Sequence, residues 1–172
     1  MRMKMLVLLF ALVATGCTST YKYNNLRVID SRLDSNRGVL VSVPENGWYE
    51  TTQYRNSGRM TANAVRAAFL QHAKQVDVTD TCHGDECLES IDAEKHGYYV
   101  KPEILHWEER ATEWSGKSDR IEIQLVIYDA ISKEELANTT YRGKSKWATF
   151  GGDHPQDLLA EPTRKYITSL YK

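Results

Sequence analysis

Apolar and polar positions follow patterns along the chain that predict its secondary structure. The run from Gly38 to Pro44 is apolar on both alternating faces and stops at a proline, which is typical of a strand inside a covered sheet. Apolar residues between Met60 and Lys74 recur at the 3.6-residue period of an amphipathic helix. Residues 75–80 then alternate, which predicts a short strand.

The next part of the chain predicts a short helix followed by a series of strands. Leu88 and Ile91 lie on one helical face ahead of His96 and Gly97, so a short helix ends with basic residues and a glycine. Three extended segments rich in β-branched and aromatic residues follow, and they predict an antiparallel meander over residues 98–110, 120–129 and 136–147.

A capping pattern near the carboxyl terminus predicts the last helix. Asp153 is expected as its N-cap, with Pro155 in the first turn and Gln156 at the third helical position. Pro162 is expected to interrupt or kink this helix. The elements together predict an α+β fold of order β-α-β-α-β-β-β-α, with a mixed sheet of about five strands and helices packed on one face.

The amino terminus carries the pattern of an export signal. Arg2 and Lys4 precede a short apolar run, and small residues lead directly to Cys17. Residues 14–17, ATGC, resemble the lipobox of bacterial lipoproteins, in which the cysteine is lipidated and becomes the mature N-terminus. This resemblance implies a palmitate-bearing membrane anchor on Cys17. Thr18, where an aspartate would imply the inner membrane, implies an outer-membrane lipoprotein facing the periplasm.

The export signal divides the chain into three predicted parts. Residues 1–16 are the signal peptide, residues 17–36 the lipidated N-terminus and a polar tether, and residues 37–172 a single periplasmic domain. Within the tether, only residues 26–29 are expected to be able to form a short strand. Loss of Arg2 and Lys4 leaves 20 of 22 basic residues against 23 acidic ones, a formal net charge of −3. A mildly acidic domain argues against a nucleic-acid partner.

Longer stretches of the domain resemble known proteins. MTANAVRAAFLQHAKQVDVTD and CLESIDAEKHGYYVKPEI give helix, strand, helix and strand in the order of the TolB amino-terminal domain, a fold shared by the lipoproteins LpoB and CsgG. YYVKPEILHWEERATEWSGKSDRIEIQLVIYDA, together with SKWATFGGDHPQDLL, is similar to a family of uncharacterised proteobacterial envelope lipoproteins. These resemblances imply a fold and a compartment, but they imply no activity.

No recognisable catalytic or cofactor-binding motif occurs in the sequence, so we predict a protein that is not an enzyme and needs no cofactor. Glu108 and Glu109 would point to opposite faces of a strand, and both are expected to be solvated. Among the five histidines, only His83 and His154 lie in loop or cap surroundings that a ligand could reach.

Cys82 and Cys87 enclose a histidine and two carboxylates in the segment TCHGDEC. Because these side chains include metal ligands and two thiols, the segment is open to three interpretations: a metal site, a redox pair or a disulfide. The lipid would consume Cys17, and the remaining pair would meet an oxidising compartment. A disulfide is therefore favoured over the other two, and it would stabilise the fold by roughly 2 kcal/mol.

Two glycines precede the last predicted helix. Gly151 and Gly152, with Asp153 and His154, could present backbone N–H groups to an anion at the helix terminus. The carboxylate of Asp153 would accept hydrogen bonds from the same donors, so self-capping is favoured over anion binding.

Aromatic residues at the ends of elements indicate a binding surface. Trp48, Tyr49 and Tyr54 lie in the loop of residues 45–59, and Trp114 lies in a connection between two predicted strands. We interpret the protein as a noncatalytic assembly or regulatory module that binds another envelope protein. A periplasmic small-molecule or metal sensor, and an enzyme with an unrecognised site, are the alternatives.

Overall fold

Six strands form the main sheet of the computed structural model, which describes residues 19–110, 117–146 and 154–172. The strands in chain order are β1 (Thr20–Arg27), β2 (Val39–Ser42), β3 (Trp48–Tyr49), β4 (Thr52–Gln53), β5 (Val76–Thr79), β6 (Tyr98–Glu108), β7 (Arg120–Asp129) and β8 (Glu135–Lys144). The helices are α1 (Ser57–Phe69), α2 (Asp85–Ser90) and α3 (Ala160–Leu170), with a 3-10 turn at Pro155–Leu158. The main sheet has the order β1-β8-β7-β6-β2-β5, and β3 pairs with β4 in a separate hairpin.

Strand β2 lies inside the sheet, between β5 and β6, and runs parallel to both. Val39 and Val41 point into the main core and are fully buried, while Leu40 packs on the opposite face. Both faces are therefore covered, as the continuous apolar run from Gly38 to Pro44 predicts. The predicted α+β class with a mixed sheet is confirmed.

Strands β6, β7 and β8 form the predicted antiparallel meander. Ile121, Ile123 and Leu125 alternate into the main core, whereas Glu122 and Gln124 lie on the other face and are half-buried. This alternation gives the sheet one apolar face and one largely polar face. Helices α1 and α3 cover the apolar face, whereas most of the polar face carries no helix in the described chain.

Strand β1 is the sixth strand, and it lies in the segment predicted as a polar tether. It pairs antiparallel with β8, from Thr20 opposite Lys144 to Arg27 near the other end. The Tyr23 ring lies 6.3 Å from that of Tyr141, and its hydroxyl donates a hydrogen bond to the carbonyl oxygen of Pro162 at 3.2 Å. Residues 20–27 thus belong to the folded sheet, because alternate tyrosines anchor an otherwise polar strand.

Helices α1 and α3 pack against each other over the apolar face of the sheet. Val65 and Phe69 of α1 and Ile167 of α3 are completely buried there. The hydroxyls of Tyr141 and Thr163, also buried, form a hydrogen bond of 2.7 Å between the sheet and α3. A shared hydrogen bond removes the cost of leaving two polar groups buried and unpaired.

The start of the carboxyl-terminal helix differs from the predicted capping pattern. The residue that caps the 3-10 turn is His154, whose backbone N–H donates to the Asp157 carboxylate at 2.9 Å, and Gln156 has no such role. Asp153 lies outside the described residues. Pro162 lies in the first turn of α3 and does not kink it, since the first N–H groups of a helix need no intrahelical acceptor.

The short helix α2 lies on the opposite face from α1 and α3. Its Cys87 and Leu88 pack with Tyr99 in a second, smaller apolar cluster. This cluster covers only the end of that face near β2, and the part formed by β1, β8 and β7 carries no helix in the described chain. Across the same three ranges of residues, no helix is long and apolar enough to cross a membrane.

Candidate functional site

The predicted site residues divide into those that the structure describes and those that it does not. Five of them lie outside the described residues, and they are Cys17, Trp114, Gly151, Gly152 and Asp153. The remaining residues fall at three places: the β3–β4 hairpin and the segment that follows it, the loop that leads into α2 together with that helix, and the start of the 3-10 turn, where His154 lies.

The β3–β4 hairpin presents one aromatic side chain to solvent and holds the others against the protein. Trp48 is 57% exposed, whereas Tyr49 is half-buried and Tyr54 packs against the main core. A Cβ at Gly47 would come within 2.6 Å of the Cβ of Trp107, so the hairpin lies directly on β6 at this point. Trp48 is therefore the described aromatic residue best placed to contact a partner.

Glu108 joins the hairpin to the end of β6. Its residue is only 1% exposed, and its two carboxylate oxygens pair with His106, at 3.2 Å, and with Arg110. Arg110 also donates to the Tyr49 hydroxyl, and its guanidinium lies 5.4 Å from the centroid of that ring. The expectation that Glu108 is solvated is wrong, because Tyr49, remote in sequence, closes over it.

The electrostatics of this cluster keep Glu108 ionised. Burial alone would raise the pKa of Glu108, but hydrogen bonds from His106 and Tyr49 and the charge of Arg110 hold that pKa below its ordinary value. A carboxylate in this state accepts hydrogen bonds and carries no proton to donate at neutral pH. The cluster of Tyr49, His106, Glu108 and Arg110 therefore acts as a polar clamp between hairpin and sheet.

The TCHGDEC segment contains the predicted disulfide, between Cys82 and Cys87. The buried Cys87 packs beside Tyr99, whose hydroxyl donates to the Gly84 carbonyl oxygen at 2.6 Å. Burial raises the pKa of Tyr99 to about 12, so this hydroxyl stays protonated as a donor. Oxidised sulfurs do not serve as thiolate ligands, so the segment loses the two strongest ligands of a metal site.

Three histidines of interest are engaged by neighbouring groups. His154 Nδ1 lies 3.0 Å from a Glu109 carboxylate oxygen, and His83 Nδ1 lies 3.3 Å from the carbonyl oxygen of Val43. His96, which is buried, contacts the Asp77 carboxylate at 2.8 Å, and hydrogen bonds from Lys95 and His96 hold the pKa of Asp77 far below its ordinary value. No group of three or more potential metal ligands converges among the described residues.

The site and fold define an α+β domain with a clamped aromatic hairpin, a disulfide-held helix and one open, polar sheet face. Residues 31–170 match the family described as "Domain of unknown function (DUF4823)", and the chain belongs to that family. No curated protein matches the chain.

Solved structures share this fold at low sequence identity. The PelC dodecamer from Paraburkholderia phytofirmans aligns with a TM-score of 0.67 and 10% identity, over 90% of this chain and 98% of that one. A protein of the DUF330 family from Xanthomonas campestris aligns with a TM-score of 0.52 and 12% identity, over 84% of this chain and 90% of that one. The likeness concerns the fold alone, and the predicted relationship to the TolB domain, LpoB and CsgG stays a prediction.

The disulfide generates the first prediction. Reduction should lower the free energy of unfolding by roughly 2 kcal/mol, because an open loop regains conformational entropy when the chain unfolds. Chemical denaturation with and without reductant measures this difference. The double variant Cys82→Ala/Cys87→Ala serves as the control and should not respond to reductant. Equal stability of the wild type in both conditions would contradict a stabilising disulfide.

The polar clamp generates the second prediction. Glu108→Gln should lower the free energy of unfolding by about 1 to 2 kcal/mol at neutral pH, because the buried carboxylate loses its charge-assisted hydrogen bonds and its ion pair with the partly exposed Arg110. Since the pKa of Glu108 is lower in the folded state, its contribution is present above the ordinary carboxyl range and is lost as the pH falls through the folded value. Denaturation curves should therefore show the gap between variant and wild type closing below about pH 4.

A matched control for this prediction lies next to Glu108 in sequence. Glu109→Gln removes an exposed carboxylate whose contact is with His154, and it should change the free energy of unfolding by less than about 0.5 kcal/mol. Equal effects of the two substitutions would show that the buried clamp does not hold the hairpin.

Proposed function

We propose that this protein is a noncatalytic lipoprotein of the cell envelope that binds another envelope protein through its β3–β4 hairpin. In this proposal an acyl chain on Cys17 anchors the protein to the outer membrane, and the domain faces the periplasm. The export signal and the lipobox-like residues 14–17 support the anchor. The disulfide between Cys82 and Cys87 fits an oxidising compartment.

The exposure of Trp48 is the observation that carries the proposed binding role. A tryptophan that is 57% exposed on a short, firmly held strand offers a large apolar surface at little entropic cost. Leu105 of β6 is 50% exposed, and it directly follows Ile104, which lies against Gly47 at the base of the hairpin. Gly47 and Ile104, which directly precede Trp48 and Leu105, are thus neighbours, so two exposed apolar side chains each lie one residue from the same contact.

The polar clamp makes this surface rigid. Tyr49, next to Trp48, is held by Arg110, and Arg110 is held in turn by the buried Glu108. A preformed surface loses less conformational entropy on binding than a mobile loop would lose. The clamp therefore favours recognition by a specific protein over a nonspecific apolar contact.

A noncatalytic role is supported by the way in which the titratable groups pair. Glu108, a buried carboxylate at this end of the sheet, is ionised and engaged by Arg110 and His106. A general acid would need a raised pKa, and a general base would need a free face toward substrate. The metal-sensor alternative is weakened because Cys82 and Cys87 form the disulfide and therefore offer no thiolate ligands.

The partner could be a different envelope protein or another copy of this chain. PelC of Paraburkholderia phytofirmans, which shares the fold, is a dodecamer. The experiment below therefore includes the oligomeric state of the purified lipoprotein as a separate measurement.

The third prediction concerns Trp48. Trp48→Ala should abolish the main cross-linked product of the full-length lipoprotein in intact envelopes, because the substitution removes the centre of the binding surface. The free energy of unfolding should change by less than about 0.5 kcal/mol, since the side chain is largely in water. Cross-linking followed by mass spectrometry, together with chemical denaturation, makes both measurements.

Ile131→Ala is the matched control, since Ile131 is 72% exposed in the turn between β7 and β8, at the far end of the sheet from the hairpin. This variant should keep the cross-linked product. A cross-linked product consisting of the chain itself, together with an oligomer in solution, would identify a second copy as the partner. Loss of several kcal/mol in Trp48→Ala, or equal loss of product in Ile131→Ala, would contradict a binding role for the hairpin.

A further inference from the structure

The open face of the sheet carries a cluster of basic residues that the strand register brings together. In one row, Lys144 of β8 lies opposite Arg120 of β7, and in the next row Arg142 of β8 lies opposite Lys22 of β1. These four residues come from three strands and define what we call the basic groove. Glu122, also opposite Arg142, is the acidic residue that lines it.

Charges of the same sign face each other across these strands. Residues directly opposite in an antiparallel pair have Cβ atoms roughly 5 Å apart, and like charges at such positions destabilise the sheet. Arg142 is compensated by an ion pair of 2.8 Å with Glu122. The exposed side chains of Lys22, Arg120 and Lys144 form no ion pair with any other residue that the structure describes.

Neighbouring acidic residues do not remove this excess. Glu108 lies opposite Arg120 on the β6 side, but it is already paired with Arg110 and His106. The groove therefore holds an excess of positive charge on a domain whose sequence is acidic overall. Such a local excess attracts an anion to a specific place on the surface.

The groove has the size and the donors to receive phosphate groups. Its volume is about 340 Å³, and Thr20 and His106 line it beside the four basic residues. An arginine offers two parallel N–H donors to a phosphate, and a lysine offers a compact positive charge. A bound phosphate between Arg120 and Lys144 would replace their mutual repulsion with attraction to both.

We propose that the basic groove binds the phosphate groups of anionic phospholipids in the membrane that carries the lipid on Cys17. This inference rests on the proposed lipid anchor and adds an orientation to it. Thr20, which lines the groove, follows Cys17 by three residues, and three residues span at most about 10 Å. An anchor that short keeps the groove beside the headgroups, and the open sheet face then lies against the membrane.

The closing experiment separates the groove from the anchor. The mature chain from residue 17 onward, carrying Cys17→Ser so that no acyl chain is present, is mixed with vesicles in a sedimentation assay. It should bind vesicles of phosphatidylcholine with one-third phosphatidylglycerol, release from them at high salt, and leave pure phosphatidylcholine vesicles unbound. Arg120→Gln/Lys144→Gln in the same background should weaken binding roughly 30-fold, at about 1 kcal/mol for each basic residue near an anionic surface.

Two further variants control for charge and folding. Arg32→Gln/Arg55→Gln removes the same charge from exposed residues that do not line the groove, and it should keep vesicle binding. Lys22→Gln removes a groove cation from β1 and should weaken binding by about fivefold. Equal weakening by the control pair would overturn the proposal that the basic groove is the binding site, since the net charge of the domain alone would then explain the attraction.

Other sources of anions give distinct results. Calorimetric binding of inorganic phosphate without vesicle binding would overturn the membrane proposal in favour of a soluble ligand. Capture of an acidic envelope protein by the same cations, again without vesicle binding, would overturn it in favour of protein recognition. Mass spectrometry of the wild-type chain extracted from membranes tests Cys17 itself. An unmodified Cys17 would overturn the anchor that both proposals share, whereas a lipidated Cys17 without vesicle binding would overturn the groove alone.

Discussion

Pairing of β1 with the free edge of β8 is the constraint on which the arrangement of the whole domain depends. It satisfies the backbone groups of β8, which would otherwise form an exposed sheet edge. It also packs the half-buried Tyr23 against Tyr141, at the place where Tyr141 is hydrogen-bonded to α3. Strand β1 is therefore an integral part of the folded domain and is not an extension outside it.

The same pairing determines what lies on each face of the sheet. Alternation along β1 sends Tyr21 and Tyr23 toward the helices and brings Lys22 beside Arg142 on the open face. Strands β7 and β8 continue the pattern, with isoleucines and leucine inward and Arg120 and Lys144 outward. The apolar face thus contributes the hydrophobic core that stabilises the domain, and the open face carries the charged side chains. The hairpin and its polar clamp lie at the end of the sheet where β6 finishes and β7 starts.

Sequence patterns predict those parts of the fold in which local periodicity and burial agree. The covered strand at Val39 and Val41, the helix containing Val65 and Phe69, and the three-strand meander all have strong apolar patterns. The Cys82–Cys87 disulfide is predicted from the expected compartment and the number of cysteines. Strand β1 is harder to predict, since its apolar surface consists of alternate tyrosines in a polar segment.

The polar clamp depends on contacts between distant parts of the chain, which local sequence patterns do not predict. Strand geometry correctly separates Glu108 from Glu109, but it says nothing about which of them another part of the chain will cover. Tyr49 approaches Glu108 from the hairpin, far away in sequence, and only the folded structure brings them together. The basic groove is likewise spread over β1, β7 and β8, so its residues become neighbours only through the register of three strands.

Amide hydrogen exchange of the chain from residue 17 onward, resolved by residue, tests the central role of β1 most directly. The N–H groups of residues 20–27 that face β8 should exchange far more slowly than those of an unstructured segment, because opening them requires the sheet edge to unfold. Exchange throughout residues 20–27 at the rate of an unstructured chain would contradict the account, since β1 would then not pair with β8 and Lys22 would not be held in the groove.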